Sequence, residues 1–204
     1  MKSRRSLVLW AVLAAVATLA GAVIARMLTH PPLPLTAGTW LPRARSVADF
    51  TLTDLSGQSF GRQQLKGAPT LLFFGFTNCP DICPTTLATL AEVMRTAPLP
   101  GLRFAFVTVD PERDSADNLR QYLSAFDSKF IGLRGASQAL EPLMKSVGAI
   151  AVRQNLADGS YTMDHSATLY LLDAEAQLVA VFTPPFNATA LHNDLQLVAA
   201  RGQF

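Results

Sequence analysis

The sequence predicts an α/β domain, a mixed sheet flanked by helices, preceded by one N-terminal transmembrane helix. Three observations carry that expectation. Pro69–Phe76 (PTLLFFGF) and Leu102–Val109 (LRFAFVTV) are continuous apolar runs, as in strands covered on both faces. Amphipathic helical stripes follow each of them. Ahead of both lies Leu7–Ala25, 19 residues without a charge.

The N-terminal run spans about 28 Å as a helix, close to the ~30 Å hydrocarbon core. Lys2, Arg4 and Arg5 precede it and Arg26 follows. The positive-inside rule then leaves residues 1–6 as a cytoplasmic tail and puts everything after Arg26 outside. The expected location is the inner (cytoplasmic) membrane, single-pass, with the C-terminal domain in the periplasm. Secretion to the periplasm after signal cleavage is the alternative, because Ala20, Ala22 and Ala25 are small. The run exceeds the usual ~7–15-residue signal core, which favours an uncleaved anchor over residues 7–25. Residues 26–44 are rich in proline and read as a stiff extended tether, with the globular domain over residues 45–204.

Composition narrows the function. Half of the 204 residues are hydrophobic and 16% are charged, which excludes a disordered chain. Residues 1–30 hold four basic side chains and no acid; the rest carries 13 basic and 15 acidic groups. The domain is therefore slightly acidic, which argues against a nucleic-acid partner. Two cysteines cannot frame a small disulfide scaffold, but they can form one redox pair or part of a metal site.

Along the domain, Asp49–Thr53 alternates like a strand, and Ser56-Gly57 turns the chain toward Gln58–Phe60. After the first apolar run, Pro84–Arg95 carries Leu87, Leu90, Ala91 and Met94 on one helical stripe. After the second, Ser115–Phe126 places Leu119, Tyr122, Leu123 and Phe126 at i, i+3, i+4 and i+7. Phe130–Leu133 is a short strand. Leu140, Leu143, Met144 and Val147 form another stripe, on a helix expected to begin near Pro142. Ala167–Leu172 and Leu178–Phe182 read as a hairpin, and Asn187 caps a last helix. A thioredoxin-like fold has this layout.

The chemistry concentrates between the first apolar strand and its helix, the end of a strand where open α/β sheets bind ligands. There the chain reads Gly75-Phe-Thr-Asn-Cys79-Pro-Asp-Ile-Cys83-Pro84. A helix start lowers thiol pKa values, and Pro80 suits a first helical turn. If the segment is helical, Cys79 and Cys83 stand about 5–6 Å apart at Cβ, wider than the ~3.8 Å of a disulfide. A metal ion spans that gap with less distortion, although a structural disulfide stays open. A third ligand has to come from elsewhere. His165, in Met163-Asp164-His165-Ser166 just before a strand, is the best placed of the three histidines. His30 lies in the tether, and His192 fits a half-buried helix position. Met163 is a weaker candidate. Zinc normally takes four ligands and only three are found; two soft thiolates and one imidazole suit copper.

GFTNCPDICP, VTVDPERD (Val107–Asp114) and MDHSATLYLLD (Met163–Asp173) together resemble the signatures of the Sco/SenC copper-chaperone family, in the family's order. The likeness runs from about Val47 to Ala200. It implies a thioredoxin-like, membrane-tethered carrier that binds Cu(I) or Cu(II) through Cys79, Cys83 and His165. It further implies delivery to the copper-binding subunit of cytochrome c oxidase, with other copper chaperones or thiol reductants as further partners. Asp110 and Asp114, with Glu112 and Arg113, would supply a docking surface, and Asp164 could orient His165. Two other readings stand beside the carrier. One is a thiol–disulfide reductase using Cys79 and Cys83, which the CxxxC spacing disfavours. The other is a copper-responsive signalling component. No catalytic residue is expected of the carrier, and enzymatic activity enters only with the reductase. After the DHS strand, Leu172-Asp173-Ala174-Glu175 lacks the Asp-Pro turn expected there.

Overall fold

The structure, a computed structural model, describes residues 2–29, 34–96, 99 and 101–202, with the side chains of 6, 8–23 and all of these residues from 34 onward. It divides into two units, Met1–Leu33 and Pro34–Phe204. The first unit is helix α1 (Lys2–Thr29). Its described apolar side chains, Val8, Leu9, Trp10, Val12, Leu13, Val16, Leu19 and Val23, are all exposed. Among the described residues no helix is long and apolar enough to cross a membrane. The described side chains of the expected span, Val8–Val23, form a shorter stretch than the roughly 20 residues a bilayer core takes. The charges expected to orient it, at Lys2, Arg4, Arg5 and Arg26, lie outside the described side chains, as does His30.

The second unit is built on an eight-stranded sheet. Its strands are β1 (Gly38–Ser46), β2 (Thr51–Asp54), β3 (Ser59–Gly61), β4 (Thr70–Gly75), β5 (Arg103–Thr108) and β6 (Ile131–Arg134), then β9 (Leu169–Leu172) and β10 (Gln177–Phe182). Their order is β1-β10-β9-β4-β5-β6-β2-β3. β4, β5 and β6 are parallel; β9 runs against β4, and β10 turns back on β9 as a hairpin. The two apolar runs are thus adjacent central strands. Every residue of β4 is buried, as is every residue of β9 beside it, because both sheet faces are covered there. The mixed α/β, thioredoxin-like arrangement expected from the sequence is the one found.

Helices follow the strands as the stripes predict. α3 (Ile82–Thr96) buries Cys83, Thr86, Leu87, Leu90 and Val93 and packs on α6 (Ala188–Ala200). α4 (Ala116–Ser124) is capped by Ser115, whose hydroxyl accepts from the Asn118 amide. Asn187 caps α6 in the same way, through the Ala190 amide. A one-turn helix, α2 (Arg62–Leu65), links β3 to the loop before β4.

Three differences from the sequence reading have physical causes. α5 (Ser137–Val147) begins five residues before Pro142, which lies inside it. The proline leaves one carbonyl of the first turns unbonded, but Gln138 is exposed and water can serve it, while Leu140, Leu143 and Val147 hold the helix on the core. Residues expected as tether form β1, an edge strand on β10. Pro42 falls where that ladder's register breaks, between Trp40 and Arg45, so its missing N–H costs nothing. The strand's start is held by Asp194 of α6. Its buried carboxylate accepts from the amides of Thr36, Ala37 and Gly38 and from the Thr36 hydroxyl. Finally, β7 (Ala151–Asn155) and β8 (Tyr161–His165) form a separate two-stranded sheet. β7 is mostly exposed, so no buried face marked it in the sequence.

Candidate metal centre

The site forms where β4 ends. Gly75 closes the strand, and Cys79 follows after a turn in which its amide donates to the Phe76 carbonyl (3.2 Å). A side chain at Gly75 does not fit: a Cβ there would stand 2.9 Å from the Cys83 sulfur and 2.8 Å from the Phe106 ring. Cys79 itself precedes α3 rather than belonging to it, so the two cysteines do not share one helical face. Pro84, not Pro80, occupies the first helical turn. Cys83 is the second residue of α3, and its free amide donates to the Cys79 sulfur (3.4 Å). This is the use of an unsatisfied helix-start N–H that the sequence implied, reached by a bent chain instead of a continuous helix.

His165 arrives from the far end of β8. Its Nε2 lies 3.4 Å from the Cys83 sulfur, and its Nδ1 is 3.2 Å from the Ser166 carbonyl. With Nδ1 turned to that carbonyl, Nε2 is the nitrogen that faces the sulfurs. The rings of Phe73 and Phe76 stand edge-to-face with the imidazole, at centroid distances of 6.1 and 5.7 Å. These aromatics belong to the FFGF run, where the sequence showed only core. The two Sγ atoms and one imidazole nitrogen all lie within 4.8 Å of one another. An ion about 2.3 Å from each sulfur and 2.0–2.1 Å from nitrogen spans donors that far apart with little movement.

The two sulfurs differ in character. Cys83 is fully buried, while Cys79 is 9% exposed. The hydrogen bond from the Cys83 thiol, aided by His165 and the Cys83 amide against the cost of burial, brings the Cys79 thiol down to about 4. The Cys83 thiol moves the other way, raised by its bond to the Cys79 sulfur and by burial. Both cysteines are free. Cys79 is therefore a thiolate from about pH 5 upward, and Cys83 is its proton donor. In the reduced protein, iodoacetamide should modify Cys79 far faster than Cys83, at a rate that is flat from pH 6 to 8. Peptide mapping across that range checks this; a rate rising about tenfold per pH unit would indicate an ordinary thiol instead.

Two of the neighbouring acids are buried. Asp110 and Asp114, expected as surface residues, are 3% and 0% exposed. Asp114 accepts from the Thr77 amide (3.1 Å), from the Thr77 hydroxyl and from the Thr108 hydroxyl (2.5 Å each), which ties the cysteine loop to the end of β5. Asp110 pairs with Arg113 (2.5 Å) and accepts from the Tyr161 hydroxyl (2.9 Å), which ties the loop after β5 to β8. Their charges face interior donors brought from distant segments, so a local pattern gave no sign of burial. Arg113 and Arg153 both lie over the Tyr161 ring, at 3.8 and 3.6 Å. Two guanidinium groups that close must occupy opposite faces. Asp164 is exposed and next to His165 on the strand, so it points to the other face, and the imidazole takes Ser166 as its partner. His192 is half-buried on α6, away from the cluster.

The chain is similar to known proteins in sequence and fold. The family model for SCO1/SenC fits residues 40–200. The chain belongs to the SCO1/SenC family. A SCO2-like protein of Rickettsia felis is 38% identical over 138 residues, 66% of this chain and 67% of that protein. Among solved structures, copper-bound ScoI of Bradyrhizobium japonicum is 37% identical with a TM-score of 0.67, covering 74% of this chain and 98% of that one. Copper-bound yeast Sco1 is 30% identical with a TM-score of 0.67, covering 78% and 90%. The part shared with these Sco proteins is the unit that carries Cys79, Cys83 and His165.

Proposed function

We propose that the chain is a copper carrier that holds one ion through Cys79, Cys83 and His165 and passes it to the copper-binding subunit of a cytochrome c oxidase. The observation that carries this reading is the convergence of two thiol sulfurs and one imidazole nitrogen within 4.8 Å, in a chain whose Sco relatives include copper-bound structures. Two soft sulfurs and an imidazole suit copper above other divalent ions of the first row. Loading displaces the Cys83 proton, because the metal takes a thiolate and not a thiol. Two thiolates with Cu(I) leave a net charge of −1, which the start of α3 offsets; with Cu(II) the site is neutral. Cys79 lies at the rim and Cys83 at the floor, so an acceptor's thiolate meets the ion from the Cys79 side and exchange proceeds ligand by ligand.

The N-terminal helix supplies the anchor in this proposal, with the domain on the outer side of the inner membrane. The uncharged run Leu7–Ala25 and the exposed apolar side chains of α1 support it. Asp164, exposed beside His165, stays in the proposal as a docking group.

The test is transfer. Copper-loaded full-length protein in detergent is mixed with an acceptor domain bearing two cysteines, and copper and free thiols on the acceptor are counted. Copper should move to the acceptor from the wild type and fail to move from His165→Ala. Equal transfer from both would remove His165 from the carrier, and reduction of an acceptor disulfide without transfer of copper would assign the pair to thiol–disulfide exchange. The low-lying Cys79 thiolate is the one feature that serves that second reading.

A further inference from the structure

Methionines at positions 144 and 163 have no part in the core. Neither is among the buried side chains, and both line one cleft of about 580 Å³ between α5 and the β7–β8 sheet. Val109, Leu140, Ala149 and Ile150 complete its apolar wall. β8 joins the cleft to the metal centre, with Met163 on the cleft and His165 in the centre. Met163 and His165 are two residues apart in β8, so their side chains share a face, with Cα atoms roughly 6.6 Å apart. Ala151, also on the cleft, is the ladder partner of His165. The Ile150 amide donates to the Ser166 hydroxyl (3.0 Å), and the Ser166 amide to the Ile150 carbonyl (2.9 Å), so the far wall is pinned to the segment that orients the imidazole.

A thioether is soft, uncharged and a weak ligand. Glu141 and Lys145, which also line the cleft, pair with each other, and two thioethers there take Cu(I) in preference to hard cations and release it to stronger thiolates. We propose that this cleft is a soft-metal entry site, in which Met144 and Met163 take up Cu(I) on its way to His165 and the cysteines. It rests on the copper-carrying reading above. The direction of flow follows from the donors: the ion passes from two neutral thioethers to one imidazole and two thiolates, each step a gain in ligand strength. No electron is transferred, and the only proton released is that of Cys83.

Ag(I), a redox-silent ion of the same charge and softness, serves as the probe. The full-length chain is labelled at the methyl carbons of its five methionines and titrated in detergent. In a Cys79→Ser/Cys83→Ser/His165→Ala variant, the methyl signals of Met144 and Met163 should move together while those of Met1, Met27 and Met94 stay. Met144→Leu/Met163→Leu in that background keeps the side-chain volume and should weaken Ag(I) binding at least tenfold, the minimum that loss of a mere outer partner of a metal site costs. In the wild-type triad the same pair of substitutions should slow loading several-fold, followed by thiolate absorption, with unchanged final stoichiometry. Immobile methyl signals, or movement of all five alike, overturn the site; equal loading rates overturn its role as an entrance. Cleft signals that move in a wild-type protein whose cysteines take up no Ag(I) uphold the cleft and refute the copper centre instead.

Discussion

Asp114→Ala should unfold the protein at a temperature lower by about 10 °C and loosen the metal centre with it. The carboxylate is fully buried and serves three donors: the Thr77 amide, the Thr77 hydroxyl and the Thr108 hydroxyl. Alanine strands all three without water. Each stranded donor costs about 1–3 kcal/mol, and the relief of a buried charge returns part of it, so a net loss of roughly 3 kcal/mol is expected. At a few degrees per kcal/mol for a domain of this size, that becomes the stated shift. Thr77 lies two residues before Cys79, so the loop that presents the outer sulfur loses its tie to β5. Asp114→Asn, which keeps an acceptor oxygen, should recover part of the loss. Thermal unfolding of the three full-length proteins in one detergent checks the order; an unchanged Tm for Asp114→Ala would mean the buried carboxylate does not hold the loop.

The second large effect is on the metal. Cys79→Ser or Cys83→Ser should abolish tight copper binding, since a serine hydroxyl is a hard, neutral donor where a soft thiolate is needed. His165→Ala should keep some two-sulfur Cu(I) binding and lose the Cu(II)–thiolate absorption, because Cu(II) needs more donation than two sulfurs give. His30→Ala and His192→Ala should leave both signals unchanged. A Cu(II) spectrum that survives His165→Ala removes the imidazole from the site.

The parts of this fold that were legible in the sequence are those whose signal is local. β4 and β5 announced themselves as apolar runs, and α3 and α4 as stripes, because burial on both faces or on one face writes a period into the chain. The cysteine pair and His165 were legible as types and spacing, although 82 residues separate Cys83 from the imidazole. What stayed hidden depends on partners far along the chain. β1 is an edge strand with a mostly exposed pattern, made a strand by β10 and by the grip of Asp194 on Thr36–Gly38. β7 and β8 hold mainly each other. Asp110 and Asp114 looked like surface charges because nothing near them in sequence shows the hydroxyls, amides and guanidinium that meet them. Pro42 and Pro142 misled in opposite senses: one sits in a strand whose ladder skips it, the other in a helix that tolerates it.

The claim on which the account stands is that a single copper ion is bound by both cysteines and the histidine of one chain. X-ray absorption at the copper edge of the Cu(I)-loaded full-length protein, with metal and protein both quantified, measures this directly. One copper per chain is expected, with two sulfurs at roughly 2.3 Å and one nitrogen at roughly 2.0 Å, and loss of the nitrogen shell in His165→Ala. A shell of sulfur alone in the wild type, a copper–copper vector, or a nitrogen shell that persists without His165 would contradict it.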